Sequence, residues 1–255
     1  MKNELEFTKD LARQAGEMLL KGWKDFQYLD DKDSGEVVTD LDKEINTFIL
    51  EEIQKTYPDD AILSEEDDPI EKGDDARLWV VDPIDGTQNM TRGVPYFGVS
   101  IGMWHNGEPQ VGVVFDPIHD ELFSAQVGGP VQLNGADVKV SDMELDEGLL
   151  LYAHSYSNEK NVAGRKKIAD LLDETGSDRR LGSAALMLCY VACGRAEALV
   201  ITDTKPWDCA AGVLMVREAG GTVTDFEGDA WKLAEPEILA SNTTVHKKAL
   251  EELDD

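Results

Sequence analysis

Apolar side chains recur at Leu5, Leu11, Ala15, Met18 and Leu19, the one-face spacing of an amphipathic helix over residues 4 to 22. A second stripe, Leu41, Ile45, Phe48, Ile49 and Ile53, predicts a helix over 40 to 56, with Thr39 as its N-cap and Pro58 marking its end. The pattern then shortens to strand length. AILS (61 to 64) and RLWVV (77 to 81) come first, followed by FGVSIGMW, PQVGVVF, ELFSAQV and VQLN, with HNGE, DPIHD and GGP between them as hairpin turns. This predicts an antiparallel meander carried on two helices. Beyond residue 145 the rhythm changes to strand LLLYA, helix 158 to 174, strand DRRL, helix SAALMLCYVACG, strand ALVI, a helix from Trp207 to Ala219, strand TVTDF and a terminal helix. Such alternation is an α/β pattern. The acidic stretch SDMELDEG marks the boundary between an α+β half, residues 1 to 145, and an α/β half, residues 146 to 255.

Composition sharpens this picture. The 255 residues suffice for a sizeable core in one domain or two halves sharing an interface. Against 24 Lys and Arg stand 52 Asp and Glu, a formal charge of −28 without any basic cluster, so nucleic acid and anionic membranes are poor partners for the outer face. The acids are spread along the whole chain, which points to a protein adapted to concentrated salt, where a Debye length of about 3 Å mutes self-repulsion. The amino terminus alternates charged and apolar residues and lacks the h-region of a secretory signal, and no stretch approaches the roughly 18 apolar residues of a membrane span, so a cytoplasmic protein is expected. Cys189, Cys193 and Cys209 form no disulfide framework; the first two, four apart in LMLCYVACG, read as small hydrophobes on one helix face.

Candidate chemistry gathers in WVVDPIDGTQNM, residues 79 to 90. An apolar strand drives Asp82 and Asp85 toward the interior, and buried like charges are costly unless a cation neutralises them. Magnesium, which favours carboxylates and water, is the simplest partner; D-P-x-D-G is also good turn chemistry. Gly86 would let backbone approach a phosphate, with exposed N–H groups and a helical start at Thr87 to bind it. LSEEDD puts Glu65 and Glu66 directly after a strand, VTDLDKE puts Asp42 in the first turn of a helix, and KPWDCAAG puts Asp208 at the start of another. Each also reads as turn or cap chemistry, Thr39 with Asp42 as a capping-box variant and Asp208 as an N-cap. Together they are the acids at element ends that a two-metal phosphoryl site requires. The second Asp-Pro-Ile, at Asp116 to Asp120, lacks Gly-Thr and reads as a hairpin turn.

The ordered set VTDLD, LSEED, WVVDPIDGTQN and PWDCAAGVLMVREAGG resembles the inositol monophosphatase family over nearly the whole chain, and GSAALMLCYVACG resembles its archaeal-type members, several of which hydrolyse both inositol monophosphate and fructose 1,6-bisphosphate. The resemblance implies a layered α-β-α-β-α sandwich and a magnesium-dependent, lithium-sensitive phosphatase, commonly a homodimer. It makes Glu65, Asp82 and the carbonyl of Ile84 ligands of a first metal and Asp82, Asp85 and Asp208 ligands of a second, with a weaker third leaning on Glu65. Asp42 and Thr87 would orient the attacking water, with Glu66 the second acid of its pair. Gly86 and Thr87 would cradle phosphate. Ser183, in LGSAAL, is either a substrate contact or a plain N-cap; Asp203 and Lys205 would belong to the sugar pocket. The animal enzymes carry a glutamate several residues before Trp-Asp, where Ile201 stands here. Arg165, Lys166 and Lys167 read as a solvated helix face or as a site for a second phosphate. Beside inositol 1-phosphate and fructose 1,6-bisphosphate, the substrates implied are 3′-phosphorylated adenosine nucleotides; the reading from another class is a metal-binding regulatory relative without turnover.

Overall fold

The computed structural model describes residues 3–31, 37–73, 75–154 and 158–253. Helix α1 (Glu4–Gly22) begins where Asn3 accepts the Leu5 N–H at 3.2 Å, and buries Phe7, Leu11, Ala15 and Leu19 along one face. A short hairpin, β1 (Tyr28–Asp31) with β2 (Val37–Thr39), precedes α2 (Asp40–Thr56). The sequence gives this hairpin no alternation to announce it. In α2, Ile45, Ile49 and Ile53 are fully buried, each contributing about 1.5–3 kcal/mol on hydrophobic transfer.

Seven strands follow: β3 (Ala61–Ser64), β4 (Leu78–Asp85), then, after the short α3 (Thr87–Thr91), β5 (Gly98–His105), β6 (Glu108–Asp116), β7 (Glu121–Gln126), β8 (Val131–Leu133) and β9 (Ala136–Val138). They form one sheet in chain order, antiparallel except for the parallel β3–β4 pair at the edge. The predicted meander is therefore present, with β4 running four residues further than RLWVV suggested, as far as Asp85.

The second half comprises β10 (Leu149–Ala153), α4 (Asn158–Lys167), α5 (Ala169–Asp173), β11 (Ser177–Arg179), α6 (Ala184–Ala192), β12 (Ala198–Ile201), α7 (Pro206–Glu218), β13 (Thr222–Thr224), β14 (Ile238–Ser241) and α8 (His246–Glu251). Its sheet runs β11-β10-β12-β14-β13, parallel across the first three strands and antiparallel after them. Two expectations change. The helix over 158 to 174 is two pieces, broken at the buried Ile168, whose φ of −107° and ψ of 6° leave the helical region. The four residues of β14, three apolar and Ser241, all buried between β12 and β13, are too few to show a period in sequence.

Three hydrophobic cores define the layers. One joins α1 and α2 to the first sheet, one joins α6 and α7 to both sheets, and one covers the outer face of the second sheet with Ile168, Leu171 and Ala249. The result is an α-β-α-β-α sandwich. Helix α7 is apolar nearly all round because it is enclosed on all sides, and it approaches the first sheet so closely that a Cβ on Gly112 would stand 2.5 Å from Ala211 O. Cys189 is buried 3.6 Å from the Met215 sulfur, the packing role expected of it. Among the described residues no helix is long and apolar enough to cross a membrane.

Candidate metal centre

Strand β4 answers how two aspartates three residues apart can face one way. In a regular strand they would lie on opposite faces. Here Asp82 pairs with Ser100 and Asp85 with Gly98, three steps on β4 against two on β5, so an extra residue is accommodated as a bulge at Pro83 and Ile84. Both carboxylates then line a cleft of about 290 Å³. Gly86 turns the chain into α3 with φ 96°, where an L side chain is strained, and a Cβ there would sit a tight 3.1 Å from Tyr96 O.

The other acids arrive from separate elements. Asp208 occupies the first turn of α7, its Oδ2 accepting the Lys205 N–H at 2.9 Å. Glu65 follows β3 directly and donates its N–H to Val81 O at 3.2 Å. Helix α2 anchors that turn: Asn46 accepts from Ser64 at 2.5 Å and donates to Asp67 at 2.6 Å. Asp42, buried at the third position of α2, closes the capping box with Thr39, accepting the Thr39 N–H at 2.8 Å. Its other oxygen accepts the Thr87 hydroxyl at 2.9 Å, and the same hydroxyl lies 2.8 Å from Ile84 O.

Oxygens of Asp82, Asp85 and Asp208 lie within 4.8 Å of one another, with Asp82 only 2 % exposed. Burial, followed by the charges of Glu65, Asp85, Asp208 and Asp42, pushes the Asp82 carboxyl well above the usual carboxylate range. Burial likewise raises Asp85 to about 6, against the lowering pull of its hydrogen bonds from Ser183, Ala185 and Ala184. Asp42 is raised by burial, opposed by Thr39 and Thr87. Groups so arranged resist ionising together, and a hard divalent cation removes the conflict. The donor set is all oxygen, which suits magnesium, calcium or manganese better than zinc.

The cleft contains Glu65, Asp82, Ile84, Asp85 and Asp208 together, and Gly86, Thr87, Asp203 and Lys205 also line it. Asp42 reaches it through Thr87. Two residues lie elsewhere. The Glu66 carboxylate is directed at Lys43, 3.0 Å from its Nζ, because alternation after β3 turns it away from Glu65. Ser183 is fully buried and gives its hydroxyl to Asp85 Oδ2, so it is an N-cap that serves a carboxylate and does not face the cleft. Ile201 stands on the wall where the animal enzymes' glutamate was expected, giving that side an apolar surface. Sequence reasoning missed His154 and Arg180, both on the cleft, with Arg180 donating to His154 O at 3.3 Å. A signal existed: they directly follow β10 and β11, and ligands bind beyond the carboxyl ends of parallel strands. Arg165 turns its Nε to His154 Nε2 at 3.4 Å.

Residues 1–255 match the model of the inositol monophosphatase family. The chain belongs to this family. It is 38% identical over 246 residues to the Nus factor SuhB of Haemophilus influenzae, covering 95% of this chain and 92% of that one. Among solved structures of the fold, the extragenic suppressor protein suhB of Bartonella henselae superposes with a TM-score of 0.92 at 32% identity, covering 98% of each chain. The inositol monophosphatase of Anabaena superposes with a TM-score of 0.87 at 37% identity, over 98% of this chain and 94% of that one. These family members are bacterial, and two carry the SuhB name, so the archaeal-type likeness expected from α6 gives way to a general family membership.

Proposed function

We propose that the chain is a magnesium-dependent phosphatase of small sugar or polyol phosphate monoesters. The observation that carries this is the convergence of three carboxylates, Asp82 and Asp85 buried and Asp208 half-buried, beside a Thr87 hydroxyl aimed at Asp42. Uncatalysed phosphate monoesters hydrolyse extremely slowly, so the site must supply charge neutralisation and alignment. Bound magnesium, two or three ions on the family pattern, supplies a Lewis acid and lowers the pKa of water. Glu65, Asp82 and Ile84 O would hold one ion, and Asp82, Asp85 and Asp208 another.

The chain's own residues do the rest. Thr87 has one proton and two acceptors, Asp42 Oδ1 and Ile84 O. With that proton donated to Asp42 Oδ1, the hydroxyl oxygen is left to accept a hydrogen bond from water, which orients the water's lone pair toward phosphorus. The turn at Gly86 and Thr87 presents backbone N–H groups to phosphate oxygens. Asp203 and Lys205 take the sugar hydroxyls. Asp82 and Asp85 are poised by burial, not by reactivity, so attack on the ester comes from water and no covalent phosphoenzyme forms.

Phosphate release from inositol 1-phosphate, fructose 1,6-bisphosphate and adenosine 3′,5′-bisphosphate tests this reading. Magnesium-dependent turnover of a sugar or polyol ester, inhibited by lithium, supports it; preference for the adenosine bisphosphate would move it to the nucleotide class. The designation Nus factor on the SuhB relative favours a second reading, a regulatory role with or without turnover. Magnesium binding without release of phosphate from any of the three would favour that role. In the phosphatase reading the acidic outer surface keeps nucleic acid and anionic membranes as poor partners, the protein is a cytoplasmic homodimer, and its activity holds up in concentrated salt.

A further inference from the structure

Ser183 sits where the two halves meet. Its hydroxyl donates to Asp85 Oδ2, and the first amides of α6 join it, Ala185 N to Oδ2 at 2.7 Å and Ala184 N to Oδ1 at 3.2 Å. Asp85 is thus gripped by three donors from a segment 98 to 100 residues further along the chain. The turn that delivers them is itself strapped to the opposite half. Asn89, in α3, donates through Nδ2 to Tyr96 O and to Leu181 O, both at 2.8 Å. Gly182 holds φ 87°, and a Cβ there would stand 3.0 Å from the same Asn89 amide. As a cap of α6 the Ser183 oxygen is weak, 3.4 Å from the Leu186 N–H, so Asp85 is its principal partner.

We propose that Ser183 is a positioning residue for the cation site. With the two α6 amides it fixes the rotation of the Asp85 carboxylate, whose terminal torsion is otherwise broad, so that Asp85 converges with Asp82 and Asp208. It touches neither cation nor substrate. Partners of this kind, one bond removed from a ligand, change metal affinity by about 10- to 100-fold when removed. By linkage, cation binding in turn tightens the docking of α6 against the first half. The inference rests on the phosphatase reading only in taking the three aspartates to hold a divalent cation.

The test is magnesium affinity, measured by calorimetry on the full chain, for wild type and for Ser183→Gly, Ser183→Ala and Ser183→Thr, with unfolding midpoints in chelator beside it. Glycine is tolerated at an N-cap at a cost of a few tenths of a kcal/mol, so Ser183→Gly removes the hydroxyl with the helix start kept even if the alanine variant fails to fold. The expected result is magnesium binding about 10- to 100-fold weaker in the glycine and alanine variants, restored by threonine, with KM for a phosphate ester at saturating magnesium little changed. Unchanged magnesium affinity in Ser183→Gly overturns the proposal, whether a lowered chelator midpoint leaves Ser183 a plain cap or a raised KM makes it a substrate contact. Absence of magnesium binding in wild type would instead remove the phosphatase reading, and this inference with it.

Discussion

The chain twice follows Asp-Pro-Ile with a second aspartate, at Asp82 to Asp85 with one residue between Pro83 and Asp85, and at Asp116 to Asp120 with two between Pro117 and Asp120. Locally the two begin alike. Asp82 Oδ1 accepts the Ile84 N–H at 3.0 Å, and Asp116 Oδ1 accepts the Ile118 N–H at 2.9 Å. They part in what completes them. Asp116 takes the His119 N–H at 3.1 Å and the His119 ring at 2.7 Å, and Asp120 turns out to solvent beside Arg13, closing the β6–β7 hairpin. Asp82 is surrounded by the acids Glu65, Asp85 and Asp208, and Asp85 is claimed by α6 from the other half. One copy satisfies its charge within a few residues; the other leaves its charge to be balanced from outside the chain. The same short pattern therefore makes a turn or a site according to what distant elements bring to it.

Paired substitutions separate the two most sharply. Asp82→Asn should lower magnesium-dependent phosphate release by about a thousandfold or more, since it removes several kcal/mol of charge stabilisation, while leaving the unfolding midpoint in chelator equal or higher. Asp116→Asn should leave turnover intact and lower stability by about 1–3 kcal/mol through a disturbed buried acceptor. Turnover assays and chemical denaturation on both variants check this, and activity loss in Asp116→Asn with none in Asp82→Asn would reverse the assignment.

A smaller expected effect lies at Thr87, in the turn that the second copy lacks. Thr87→Ala should lower kcat by about a hundredfold with magnesium affinity preserved, as expected for loss of a group that holds a proton and not a cation. A matching loss of magnesium affinity would make Thr87 part of the ligand shell.

The smallest effect is one of pH. The Asp85 carboxyl lies at about 6 in the folded chain, above its ordinary 3.8, so the folded state binds more protons than the unfolded state between those values. Its stabilising contribution is complete below about pH 4 and is lost as pH rises through about 6. Unfolding midpoints in chelator should fall over that window for the wild type relative to Asp85→Asn, and saturating magnesium should flatten the difference. No difference between the two proteins in chelator would show that Asp85 is not held in conflict with its neighbours.

Much of this was legible in the sequence. The long stripes of α1 and α2, the Thr39 cap and the β5 to β7 meander follow from local periodicity and turn residues. The acids of the cleft were legible because each lies toward the end of a strand, just after one, or in the first turn of a helix, the places where side chains leave the core. What escaped depends on long-range geometry. Whether Glu65 or Glu66 faces the cleft is decided by the phase of one strand, and Lys43 on α2 captures the loser. The role of Ser183 depends on a carboxylate in the other half. Arg180 and His154 acquire a position only once β10, β11 and β12 are known to run parallel with their ends at the cleft.

The most direct measurement is a crystal of the chain soaked with manganese, with anomalous scattering used to locate the ions. The account predicts metal peaks between Asp82, Asp85 and Asp208, lost in Asp82→Asn while the β6–β7 turn around Asp116 stays bare. An empty cleft at saturating manganese, with the three carboxylates as close as they are here, would contradict it.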